Sequence, residues 1–316
     1  MSTPLSIDPL WPRTGGWPAP EAGQRADLMI LGIPTSRTSL SPTQAHTTPN
    51  AIRDALRRYS SHVVEPGQQG RRGAETDLVL DEVLRVVDAG DVDEPDTPAG
   101  ESAAAELVAA LAADSELLVA LGGDNACTVP AALGIAAAHG GLGASGLITL
   151  DAHHDLRDGR SNGSPVRRLV EAGLDPARIV QIGIADFANS RAYRERAREW
   201  GITVVHRDEL HDRPMRDVVA EALENAGSGG GPIHVDLDVD VCDRSVAPGC
   251  PASIPGGLQA HELRRAARLL AADPRVRGLD IAEVDAAADA TDGRTVRLAA
   301  LLVLEAAAGL AMRPRG

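Results

Sequence analysis

AAAELVAALAADSELLVALGGDNACTVPAALGIAAAH, residues 103–139, reads as a helix, a strand and a second helix in succession. Residues 103–114 are alanine-rich and helical, 115–123 form a short apolar run ending in two glycines, and 127–139 form the next helix. An apolar run of that length, bounded by glycine, suits a strand covered on both faces. Helix, buried strand and helix make the repeating unit of a parallel sheet with helices packed against it. The chain leaves the strand through Asp124 and Asn125, so polar side chains collect at its C-terminal end.

The alternation runs outward in both directions. Upstream, DLMILGIP (27–34) and RVVDAGDV (85–92) read as strands, 36–49 as loop, and PNAIRDALRRYS as a helix with Pro49 in its first turn. Downstream, strands are expected at 146–152, 177–185, 202–207, 232–240 and 276–285. Helices are expected at 164–173, 189–201, 213–227, 258–273 and 295–312. Roughly eight strands alternating with helices predict an α/β fold, three αβα layers around a mostly parallel sheet. Residues 1–26, rich in Pro, Gly and polar residues, read as an irregular lead-in, and 27–316 as a single domain. GSGGG (227–231) reads as a loop between helix and strand, not a linker.

Composition narrows the function classes. Of 316 residues, 43% are hydrophobic and 24% charged, which is globular and not disordered. All 31 basic residues are arginine, and the formal charge of −14 argues against nucleic-acid binding. Three cysteines without framework spacing (Cys127, Cys242, Cys250) fit a reducing compartment. No basic segment followed by an apolar core opens the chain, and the apolar run at 298–312 is short and carries Glu305. A soluble, cytoplasmic protein with no membrane or nucleic-acid partner is therefore expected.

The chemistry gathers at strand ends. GGDNACT (122–128), LDAHHDLR (150–157) and DLDVDVCD (236–243) all lie at or just past the C-terminal end of an expected strand, as does Glu283. Ligand sites in open parallel sheets form along that edge. Asp151, His153 and Asp155 alternate at period two, so on extended chain two carboxylates and an imidazole share one side while His154 faces the other. That donor set suits a hard divalent cation such as manganese. Asp236, Asp238, Asp240 and Asp243 form a second acidic series, which would repel strongly without a cation. One acidic triplet at a strand end is ordinarily a cap or a solvated turn; two of them on one edge favour metal. The seven histidines other than His153 and His154 read as surface or capping residues.

Several ordered segments resemble the ureohydrolase (arginase–agmatinase) family, from about residue 27 to the end of the chain. LGIPTS (31–36) with TTPNAIRDAL (47–56) is similar to the family's first strand and helix, and GGDNACT to its GGDHS. LDAHHD is similar to its DAHxD, DVDVCDRSVAPG (238–249) to its DxDxxDxxxAPG, and LDIAEVDAAADATDGRTVRLAA (279–300) to its last strand and helix. The resemblance implies two Mn²⁺ ions per chain and hydrolysis of guanidino or related C=N groups. It implies metal ligation by Asn125, Asp151, His153, Asp155, Asp238 and Asp240, with Asp236 as a neighbour. Asp155 would also accept a proton, and Glu283 would bind the amidine nitrogens of the substrate. A ring-like homo-oligomer is implied as well.

Two departures from the family pattern bear on that reading. Asn125 stands in place of a histidine ligand, so its metal site is expected to be the weaker one. Asn162, in SNGSPVRR, stands in place of a histidine that assists proton transfer, a task asparagine cannot perform. That segment and FANS (187–190) resemble the formimidoylglutamase branch, which implies cleavage of N-formimidoyl-L-glutamate to L-glutamate and formamide. Asn162, Arg167, Phe187, Asn189 and Arg294 are the candidate substrate-binding residues, with Arg168 a further one. Their alternative roles are helix capping for FANS and helix-surface placement for the arginines. Another amidinohydrolase acting on a guanidino compound, or a silent metal-binding paralogue, stays open at this point.

Overall fold

In the computed structural model, residues 5–65 and 76–314 are described, and β1 (Ala26–Ile33) lies inside an eight-stranded parallel sheet. It is followed by α1 (Thr48–Leu56), β2 (His62–Glu65), β3 (Thr76–Val79), α2 (Leu80–Val83), β4 (Val86–Asp91), α3 (Pro98–Ala113), β5 (Ser115–Gly122) and α4 (Thr128–Ala138). Next come β6 (Gly146–Leu150), α5 (Pro165–Glu171), β7 (Ile179–Ile184), α6 (Arg191–Trp200), β8 (Thr203–His206) and α7 (Met215–Ala226). The chain closes with β9 (Ile233–Asp238), α8 (Ala260–Ala271), β10 (Val276–Ala282) and α9 (Arg294–Ala311). The strand order is β4-β1-β5-β10-β9-β6-β7-β8, and every neighbouring pair is parallel.

Side-chain alternation along the strands divides the core in two. Leu28 and Ile30 of β1 join the side covered by α1, α7, α8 and α9, whereas Met29 and Leu31 join the side covered by α3 and α4. A third cluster packs α5 and α6 onto β6 and β7 through Leu147, Leu169, Ile179 and Ala197. The three layers expected from the sequence are present. Residues 5–25 contain no helix or strand.

Sheet order positions the site. β5 and β6 are consecutive strands along the chain, yet β10 and β9 lie between them. The chain therefore steps across two strand widths after α4 and fills the gap last, and such a switch point opens a crevice at the C-terminal edge. One element pair was not foreseen. β2 and β3 form a separate antiparallel pair, His62 opposite Val79 and Val63 opposite Leu78, within a stretch to which the sequence pattern assigned nothing.

Candidate active site

The four strands whose ends carry the acidic motifs, β5, β10, β9 and β6, are adjacent in the sheet. At this edge lies a cleft of about 270 Å³ lined by His153, Asp155, Asn162, Asp238, Asp240 and Glu283 from the ends of β6, β9 and β10, with Leu40, Arg157, Asn189 and Tyr193 nearer its rim. A cleft of this size takes a small metabolite.

Local hydrogen bonds set each carboxylate. Past the end of β6, Asp151 Oδ1 accepts the backbone N–H of His153 at 2.6 Å. At the end of β9, Asp238 Oδ1 accepts the N–H of Asp240 at 2.8 Å. Asp240 Oδ1 in turn accepts the N–H of Ala152 at 2.9 Å, tying the two loops together. His153 Nδ1 lies 2.7 Å from Asp240 Oδ2 and 3.5 Å from Asp151 Oδ1. His154 points away, as the alternation implied: it is buried, with Nδ1 2.7 Å from Gln181 Oε1.

Glu283 is gripped from two sides. Its Oε1 accepts the backbone N–H of Asn125 at 2.9 Å and the Asn162 amide N–H at 2.7 Å. Asn162 Oδ1 accepts from the backbone of Leu40, so one asparagine joins the entrance loop to the floor. Asp155 and Glu283 both adopt left-handed backbone, φ 53° and 60°, which costs about 1–3 kcal/mol per residue and is tolerated where surrounding structure enforces it.

The electrostatics are those of crowded, buried acids. Burial, aided by neighbouring carboxylates, pushes Asp151, Asp236 and Asp238 well above the usual carboxylate range. Burial raises Asp155 to about 7 and Glu283 to about 8. Burial opposes a charged His153, yet adjacent Asp240 lifts the imidazole to about 10. Asp240 moves the other way: burial would raise it, but the charge and hydrogen bond of His153 hold it below its ordinary value.

A second polar layer lies beneath. Asp236 and Asp280 are register partners on β9 and β10, both fully buried. Asp280 Oδ2 lies 2.6 Å from His234 Nε2, so His234 is a buried histidine and not the surface or capping residue expected of it. The Thr128 hydroxyl lies 2.7 Å from Asn125 Oδ1 and 3.2 Å from Asp280 Oδ1. The Asn125 amide nitrogen donates to Asp155 Oδ2 at 2.6 Å and reaches Asp236 Oδ2 at 3.5 Å. Asn125 thus presents its N–H to the carboxylates, with its oxygen turned to Thr128.

With this geometry in place, comparison with known proteins is decisive. The arginase family profile matches residues 26–309. The chain belongs to the arginase family. Within it, formimidoylglutamase from Bacillus subtilis (strain 168) is 33% identical over 294 residues, covering 90% of this chain and 88% of that protein. Formimidoylglutamase from Halalkalibacterium halodurans is 34% identical over 307 residues, covering 94% and 92%. The crystal structure of the Bacillus protein superposes with a TM-score of 0.85 at 29% identity, covering 100% of this chain and 97% of that one. Trypanosoma cruzi formiminoglutamase with Mn²⁺ shares the fold at a TM-score of 0.78 and 23% identity, covering 93% and 97%. The chain is thus an arginase-family hydrolase similar to formimidoylglutamases.

The donor set of this arginase-family chain fits divalent cations. Asp151, His153 and Asp240 each offer a ligand atom within 4.8 Å of the others, and Asp155 and Asp238 line the same cleft. Asp151 Oδ2 and Asp236 Oδ1 are buried without a hydrogen-bond partner, a deficit that a cation would relieve for Asp151 at the cleft floor.

Asn162 and Asn189 reach the cleft, although Asn189 is also a clamp: its Oδ1 accepts from His154 N–H at 3.0 Å and its amide donates to the Ala152 carbonyl at 2.8 Å. Ser190, not Asn189, caps α6 by accepting from Tyr193 N–H. Three expected substrate-binding residues are not brought to the cleft. Arg167 is turned to the carbonyls of Arg157 and Gly159 and to Glu171, because the loop after β6 leaves those carbonyls unpaired beside α5. Arg294 pairs with Asp292 and the Ser245 carbonyl at the start of α9. Phe187, at left-handed φ 62°, is fully exposed and borders a different groove with His206 and Ile254. Arg168 is held by Glu101 through two bonds of 2.8 and 2.5 Å. Arg157, which sequence reasoning passed over, lines the cleft instead. Its signal was available: it continues the period-two series of Asp151, His153 and Asp155.

Proposed function

We propose that this hydrolase cleaves N-formimidoyl-L-glutamate with water, giving L-glutamate and formamide. The observation that carries the reading is one cleft in which His153, Asp155, Asp238, Asp240 and Glu283 converge from three different strand ends. The naming of its relatives supports the substrate. Asp151, His153, Asp155, Asp238 and Asp240 would hold two Mn²⁺ ions, which when bound lower the pKa of a water so that hydroxide is present near neutrality.

The chain's own residues do the rest. Glu283 accepts hydrogen bonds from the amidine nitrogens through Oε2, since Oε1 is occupied by Asn125 N–H and Asn162. The amidine is positively charged when protonated, and a carboxylate facing its nitrogens holds it in that form, which leaves the formimidoyl carbon electrophilic until attack neutralises the charge. Asp155 takes the proton from the attacking water and passes it to the glutamate nitrogen as the C–N bond breaks. Asn162 holds Glu283 and moves no proton. Asn125, N–H to Asp155, orients that carboxyl.

Product analysis on manganese-loaded protein tests the reading. Equal amounts of glutamate and formamide from formimidoylglutamate are expected. Urea released from a guanidino acid at a higher kcat/KM would overturn the substrate.

A further inference from the structure

We infer that Arg157 is the specificity-determining residue of the cleft, the cation that binds a carboxylate of the substrate; the inference rests on the formimidoyl-amino-acid reading above. Arg157 is the one arginine among the described residues lining the cleft, where the other ionisable lining residues are the floor carboxylates and His153, which is paired with Asp240. The arginines around it are already engaged. Arg160 pairs with Glu101, Arg196 with Asp158, Arg167 with Glu171 and Arg168 with Glu101. No ion pair or side-chain hydrogen bond within the described residues occupies the guanidinium of Arg157.

Its position is built. The stem crosses directly over Gly163, where an added Cβ would sit 2.7 Å from Arg157 Cδ and 3.2 Å from Leu40 Cδ1. Gly163 has no left-handed φ that would require glycine. The missing side chain therefore serves as the seat for the arginine stem. The backbone closes the same seat, with Arg157 N–H donating to the Gly163 carbonyl at 3.0 Å. A guanidinium so placed offers a planar fork to a carboxylate at the rim, while the amidine end reaches Glu283 and Asp155 below. Anionic tails are selected at the mouth and neutral ones are not. The chemical class is an acidic amino acid carrying an N-linked amidine.

The experiment compares N-formimidoyl-L-glutamate with N-butylformamidine, which carries the same scissile bond on a neutral tail. In Arg157→Gln, the ratio of kcat/KM for the two substrates should fall by roughly a hundredfold, mostly through KM of the acid. Arg157→Lys should recover part of that ratio, since it restores charge without the fork. Gly163→Ala should lower the ratio in the same direction by displacing the stem. Equal losses on both substrates, or no change in the ratio, would overturn the assignment. Binding of L-glutamate, followed by saturation-transfer NMR, reports independently of turnover. Should the wild-type protein hydrolyse no formimidoyl acid, the proposed reaction fails, and glutamate binding that is equal in wild type and Arg157→Gln would then sink the Arg157 role separately.

Discussion

Asp155 and Glu283 show how much a single residue is asked to bear in this fold. Each is buried, each holds a left-handed backbone, and each carboxyl is raised by burial, to about 7 and about 8 from ordinary values of 3.8 and 4.5. In the metal-free protein both therefore bind protons more tightly folded than unfolded. Their contribution to stability is complete below the unfolded values and is lost as pH rises through the folded ones. His153, raised from 6.5 to about 10, loses its contribution still higher, whereas lowered Asp240 acts in the opposite sense at acid pH. The thermal midpoint of metal-free protein should consequently fall between roughly pH 5 and 8, and manganese should remove that slope. A midpoint that climbs across this range without metal would contradict the burial of these acids. The convergence of the acidic motifs on one cleft was legible because their spacing in DAHHD and DVDVCD is unusual. The orientation of Asn125 was not, because it depends on Thr128 of α4, whose hydroxyl also lies beside Asp280 of β10.

At the scale of elements, β5 and the turn after it do two jobs. The strand buries Leu118 and Leu121, and the turn delivers Asn125 to Asp155 and to Glu283. Gly123 permits this: an added Cβ would lie 2.0 Å from the Thr35 carbonyl oxygen and 3.0 Å from that of Ala45, while its own carbonyl accepts Glu283 N–H at 2.9 Å. Gly123→Ala should cost about 1–3 kcal/mol in chemical denaturation and depress kcat, since Asn125 and Glu283 move with the backbone. Wild-type stability and turnover in this variant would refute the close approach. The eight sheet strands were legible because each is an apolar run punctuated by glycine or acid. HVVE and TDLV, the strands of the separate pair, are too short to declare a period. His234 was misread for a related reason: its partner Asp280 is on the neighbouring strand, and only the parallel register beside Gly278 brings them together.

For the whole molecule, function follows from sheet order. Motifs separated by more than a hundred residues meet because β9 and β10 enter between β5 and β6, an order that no local pattern encodes. The −14 formal charge is partly concentrated at this edge, where Asp151, Asp155, Asp236, Asp238, Asp240 and Glu283 are buried together. Among the described residues no helix is long and apolar enough to cross a membrane. A fold that buries so many acids in one place pays in stability unless cations neutralise them. Crystals grown with manganese and measured at the manganese absorption edge test that claim most directly. Two anomalous peaks are expected in the cleft, within coordinating reach of the carboxylates of Asp151, Asp155, Asp238 and Asp240 and the imidazole of His153. A cleft with no anomalous peak at saturating manganese, or peaks only elsewhere on the protein, would contradict it.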